Sequence, residues 1–142
     1  MASAESCTGG LVGHVITQVP RSSDHFLGGV VSYSNAVKEE LLDVPGELIE
    51  RVGAVSAEVA EAMTTGALAR FPAARLAVAV TGIAGPDGGS ENKPVGLTYV
   101  AAAIRDGGAA VERHTWPHDR DGNKRASALA ALELAARVAD EA

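Results

Sequence analysis

Four short constellations in this chain carry residue types that could do chemistry. The first is Glu5-Ser6-Cys7-Thr8-Gly9-Gly10, followed by apolar residues at helical spacing. Small hydroxyl residues and glycines at a helix entry leave backbone N–H groups free and aligned with the helix dipole. A serine there can act as a nucleophile with neighbouring N–H groups as an oxyanion hole. The plainer reading is that Ser6 or Thr8 caps the helix. No G-x-S-x-G elbow is present. Cys7 is a rival nucleophile, but nothing except the helix start would lower its pKa, so it reads as a small core cysteine. The second constellation is Tyr33-Ser34-Asn35-Ala36-Val37-Lys38, at a strand-to-helix junction of the kind where α/β folds bind ligands. Spacing alone makes Lys38 a solvated lysine.

The third is the loop Thr81–Gly96, TGIAGPDGGSENKPVG, with five glycines and two prolines between two apolar runs. Such a loop costs backbone entropy, and its turn chemistry argues for order. It suits close backbone approach to a ligand, with phosphate the first suspect. It matches neither the P-loop nor the dinucleotide fingerprint, and Lys93 in it reads as part of a surface turn. The fourth is Asp119-Arg120-Asp121 with Lys124 and Arg125, where an arginine could grip a phosphate or simply sit on a surface. The four histidines are scattered; His114 and His118 are four apart but run from the end of a predicted strand into the segment after it, not along one helix face, so no metal site is expected.

The elements that must position these residues follow from periodicity. Leu11, Val12, Val15, Ile16 and Val19 mark one helix face. Gly28–Tyr33 reads as a short strand. Ser34 can cap a helix to about Leu42, and a short helix spans Pro45 to about Val52. Ser56 caps another to about Phe71, with Val59, Ala60, Met63, Ala67 and Phe71 inward. Arg75–Thr81 is a near-continuous apolar strand, as in the middle of a sheet covered on both faces. Leu97–Ile104 and Ala109–Trp116 form an antiparallel hairpin turning at Asp106-Gly107-Gly108. A last helix runs from about Asp121 to Ala139, with Leu129, Leu132 and Ala136 on its apolar face. The alternation predicts an α/β fold: a single three-layer domain over residues 1–142, with a mixed sheet and helices on both faces.

Composition excludes several classes. The 142 residues are 46% hydrophobic and 21% charged, which is globular. Aromatics are only 4%, so the core is Ala/Val/Leu. A net charge of −6 argues against a nucleic-acid partner, yet leaves room for a small anionic substrate. A single cysteine points to a reducing compartment. No apolar run is long enough to span a membrane, and no signal pattern opens the chain. The expectation is a soluble cytoplasmic protein.

In order along the chain, AESCTGG, GGVVSYSNAVK, GAVSAEVAEAM and AVTGIAGPDGGSENKPVG resemble the CinA C-terminal domain family, nicotinamide mononucleotide (NMN) amidohydrolases, from Ala4 to the final helix. The resemblance implies hydrolysis of NMN to nicotinic acid mononucleotide and ammonia, a pyridine-nucleotide salvage step, without metal or organic cofactor. It implies Ser6, Lys38 and Tyr33 as catalytic residues. It places the substrate on Thr81, Gly82, Gly85 and Arg120, with backbone donors around Thr8, Gly9 and Gly10 as the oxyanion hole. Lys38, if desolvated, would take the serine proton. Family domains carry a helix and most of a strand before AESCTGG, where this sequence has Met1-Ala2-Ser3. The expectation is that this helix and most of the first strand are missing and that one sheet face is left open to solvent or association. His118 stands where the family often has glycine. Two alternatives remain: a non-catalytic nucleotide-binding module, or an amidase acting on another small nucleotide. The Ala-rich terminal helix is compatible with a homo-oligomer.

Overall fold

The computed structural model describes residues 1–142. One five-stranded sheet runs in the order β2-β1-β3-β4-β5. Strand β1 (Ala2–Glu5) is parallel to both β2 (Gly28–Val31) and β3 (Leu76–Gly82). Strands β4 (Leu97–Ile104) and β5 (Ala109–Thr115) continue antiparallel, as the hairpin signal predicts. Helices α1 (Leu11–Thr17) and α5 (Arg120–Asp140) cover one face; α2 (Asn35–Leu42), α3 (Gly46–Val52) and α4 (Ala57–Arg70) cover the other. This is the mixed-sheet α/β architecture expected from the sequence.

The two faces are filled by small residues. Ala4, Ala77, Ala79 and Ala101 receive α4 on one side, while Val78, Val80, Val100 and Ala102 receive α5 on the other. Full burial of each valine contributes about 2 kcal/mol, and the alanines let helices approach closely. Gly66 of α4 marks the tightest point. A Cβ there would lie 2.0 Å from the Leu42 carbonyl oxygen, so α2 and α4 meet through backbone. That approach fixes the helix carrying Lys38.

Helix starts follow their caps. Ser34 Oγ accepts from Val37 N–H and Ser56 Oγ from Val59 N–H. Asp119 accepts from Gly122 N–H, so α5 begins at Arg120. Three expectations need correction. All four residues of β1 are buried, so its two faces are covered; exposure falls instead on the neighbouring β2, where Val31 is half exposed. The buried stripe of α5 is Ala128, Ala131, Leu134, Ala135 and Val138, whereas Leu129 and Ala136 face outward. A helix this rich in alanine has little contrast around its circumference, and packing on the sheet selects its small-residue side. Phe71 lies past the end of α4 as its C-cap and is only partly buried.

Candidate active site

The C-terminal ends of the parallel strands β1, β2 and β3 lie side by side, and the chemistry gathers there, as open α/β sheets favour. Just past β1, Ser6 N–H still pairs with the Val80 carbonyl of β3 (3.0 Å). Beyond β2, Ser32 N–H bonds to the Glu5 carbonyl (2.7 Å) before the chain turns into α2. Lys38, on the first turns of α2, points back into this junction.

The Lys38 side chain is 1% exposed. Its Nζ donates to Ser6 Oγ at 2.9 Å, to the Ser32 carbonyl at 2.8 Å and to the Tyr33 carbonyl at 3.3 Å. The solvated-lysine reading is therefore corrected: α2 is held down by α4, and the lysine lies on its inner face. Burial lowers the Lys38 pKa from its ordinary 10.5. No carboxylate approaches it as a salt-bridge partner. A neutral amine in this seat would donate its two N–H groups to the two carbonyls and offer its lone pair to the Ser6 hydroxyl. That is the geometry of a serine with a lysine base.

The turn after Ser6 is organised by Glu5, which is 2% exposed. Its Oε1 accepts from Thr8 Oγ1 (2.6 Å), Gly10 N–H (3.2 Å) and Val12 N–H (2.8 Å), and its Oε2 accepts from Gly13 N–H (3.1 Å). Gly10, at φ 107°, holds a left-handed conformation that admits this sharp entry into α1. The donors expected around Thr8–Gly10 are thus mostly taken. Gly9 N–H bonds to the Ser6 carbonyl at 3.0 Å and Gly10 N–H to Glu5. Neither Thr8, Gly9 nor Gly10 lines the cavity at Ser6. The N–H groups of Cys7 and Thr8 are the ones that no oxygen accepts. Burial pushes the Cys7 thiol up to about 11, against the weaker pull of its own backbone and of Lys38, so Cys7 is an uncharged neighbour of Ser6.

A cavity of about 280 Å³ opens in front of the pair. The structure brings Ser6, Lys38, Tyr33, Thr81, Gly82, Gly85 and Arg120 around it. Thr81 Oγ1 donates to the Ala54 carbonyl (2.9 Å), tying the end of β3 to the loop before α4. Tyr33 meets Lys38 through its carbonyl, while its phenol lies at the mouth and accepts from Arg120 Nη2 (3.2 Å). Arg120 Nη1 also donates to the Gly85 carbonyl (2.6 Å). Asn123, one turn on, donates to the Ala84 carbonyl (2.9 Å), so the start of α5 grips the glycine loop twice. Lys93 closes the loop's far side by donating to the Val52 carbonyl at the end of α3 (2.6 Å), which is more than a surface turn. Asn35, Val55, Ile83, Asp87 and Gly88 also line the cavity and were not singled out in the sequence. Asn35 lies in the SYSN segment and Ile83, Asp87 and Gly88 in the glycine loop, so of these only Val55 falls outside the four constellations. No three His, Cys, Asp or Glu side chains gather as a metal-binding group, and no helix is long and apolar enough to cross a membrane.

Residues 1–139 match the family model of the CinA C-terminal domain. A CinA-like protein of Mycobacterium marinum is 48% identical over 141 residues, spanning 99% of this chain and 33% of that protein. A CinA-like protein of Synechococcus sp. (strain RCC307) is 55% identical over 113 residues, spanning 80% of this chain and 27% of that protein. The chain thus corresponds to about a third or less of these curated relatives. Among solved structures, competence/damage inducible protein CihA from Agrobacterium tumefaciens superposes with a TM-score of 0.92 at 40% identity, covering 96% of this chain and 83% of that one. A CinA superfamily protein from Escherichia coli gives 0.88 at 30% identity, covering 94% and 76%.

Proposed function

The chain belongs to the CinA C-terminal domain family, and from that membership and the Ser6–Lys38 contact we propose that it hydrolyses the carboxamide of nicotinamide mononucleotide to nicotinic acid mononucleotide and ammonia. The observation that carries this reading is a lysine 1% exposed whose Nζ lies 2.9 Å from a serine hydroxyl at a strand end. Desolvation favours its neutral form, which is the form a base requires.

In the proposed reaction Ser6 Oγ attacks the carboxamide carbon and its proton passes to Lys38 Nζ. The negative oxygen of the tetrahedral adduct is held by the free N–H of Cys7, which lines the cavity beside Ser6. Lys38 then gives the proton to the amide nitrogen, the C–N bond breaks, and ammonia leaves an acyl ester on Ser6. Water, deprotonated by Lys38, attacks that ester; its proton returns to Ser6 as the acid departs. The sum is one amide and one water to one acid and one ammonia, with no external redox partner.

The cavity's roughly 280 Å³ lies at the lower edge of ligand pockets, about 300 Å³ upward. That suits a mononucleotide better than a dinucleotide or a polymer. Arg120 stands at the mouth, with a planar cation suited to the phosphate. Ammonia release from NMN by the wild type and by Ser6→Ala tests the reading. The account requires release by the first and none by the second. Binding of NMN without turnover would instead mark a nucleotide-binding module.

A further inference from the structure

Glu5 is adjacent to the proposed nucleophile, almost fully buried, and bonded to nothing that binds substrate. A carboxylate in such a place is strongly disfavoured by desolvation unless donors surround it. Here four do: Thr8 Oγ1 and the N–H groups of Gly10, Val12 and Gly13. These include the opening donors of α1, the groups that would otherwise attract an anion. The helix start is therefore filled from within the chain.

The other end of the same residue reaches the base. The Glu5 carbonyl accepts from Ser32 N–H (2.7 Å) and from Ser32 Oγ (3.2 Å). The Ser32 carbonyl, in turn, accepts from Lys38 Nζ at 2.8 Å. One buried residue thus fixes the turn on the serine's C-terminal side and, through Ser32, the seat of the lysine. Between the groups it binds, the N–H groups of Cys7 and Thr8 stay unclaimed.

We infer that Glu5 is a positioning residue for the Ser6 turn: by binding Thr8 and the first donors of α1 it holds the Cys7 N–H open toward the cavity as the oxyanion donor and keeps Ser6 in register with Lys38. This rests on the reading of Ser6 as nucleophile. Its second consequence is that the substrate's phosphate does not use the start of α1, whose donors are committed to Glu5.

The test reads Ser6 reactivity without relying on NMN. An alkyl fluorophosphonate probe forms a bond from Ser6 Oγ to phosphorus with loss of fluoride, and its product places a P–O oxygen in the oxyanion site. Labelling rates are compared in the wild type, Glu5→Gln, Thr8→Val and Val138→Ala. The last weakens the core at the far end of α5. Glu5→Gln keeps the shape but turns an amide N–H₂ toward backbone donors, so a slowing of roughly tenfold to 10²-fold is expected from a displaced turn. Thr8→Val, which removes one of the four donors, is expected to slow labelling by about threefold. Val138→Ala is expected to lower Tm and label at the wild-type rate. Wild-type labelling rates in both Glu5→Gln and Thr8→Val would overturn the role of Glu5. So would slowing in Val138→Ala equal to that in Glu5→Gln at matched loss of Tm, which would reduce the effect to stability. If Glu5→Gln does not fold, Thr8→Val alone decides. No labelling of the wild type would remove the nucleophile itself, a failure distinct from unchanged labelling in the variants.

Discussion

The inner and outer ends of the cavity are built on opposite plans. At the inner end, Ser6, Lys38 and Glu5 are each under one-tenth exposed, and their partners are largely main-chain groups of β1, the segment after β2, and α1. At the outer end, Tyr33 is 62% exposed and Arg120 is a surface side chain, linked to each other and to one loop carbonyl. Main-chain seats do not change rotamer, so the inner end can hold atoms in reacting geometry. Flexible side chains at the mouth can exchange partners when an anion arrives. Chemistry and grip are thereby separable, and substitutions at the two ends should fail differently.

The largest effect belongs to the inner end. Ser6→Ala should cut ammonia release from NMN by about 10⁴-fold or more, while NMN binding by calorimetry stays within about threefold of wild type. Lys38→Met should reduce kcat by about 10³-fold. It should also change stability in a pH-dependent way. Burial puts the folded-state pKa of Lys38 below the ordinary 10.5. Between those two values the unfolded chain holds the proton and the folded chain does not, so wild-type stability rises with pH across that window. Below it both states are charged and the folded chain carries the whole cost of a buried ammonium. Urea unfolding of wild type and Lys38→Met should therefore show the wild type gaining on the variant as pH climbs toward 10.5. A constant difference across pH would remove the desolvated lysine from the account.

The outer end should show a milder and different signature. Arg120→Met is expected to raise KM for NMN by roughly tenfold to 10²-fold with kcat nearly unchanged, as for loss of a charge-assisted contact. A fall in kcat without a change in KM would erase the division between the two ends. Tyr33→Phe removes one exposed hydrogen bond and should cost about threefold in kcat/KM; a loss comparable to Lys38→Met would move the phenol into the chemical step.

The sequence made the framework legible where local physics decides it. Ser34 and Ser56 start helices because their hydroxyls replace missing acceptors, and the short continuous apolar run before Thr81 marks a strand covered on both faces. It was silent where distant packing decides. Lys38 sits beside Glu39 and Glu40, both exposed, and nothing in that run reveals that the backbone contact at Gly66 turns the lysine inward. Glu5 looked like the first letter of a serine motif; its four donors come from residues three to eight positions on, brought back by a glycine in a left-handed conformation. The α5 stripe was misread because alanine marks either face equally well. The joining of Ser6 to Lys38 came from family resemblance, since the two lie 32 positions apart with no local sign that they meet.

The central claim is that a neutral Lys38 takes the proton of Ser6. The most direct measurement is the pH dependence of kcat/KM for ammonia release from NMN in wild type and Lys38→Met. The account predicts a wild-type rate that rises with pH to a plateau, its midpoint below 10.5, and loss of both the rate and that limb in Lys38→Met. Wild-type activity in Lys38→Met with the same limb would contradict it.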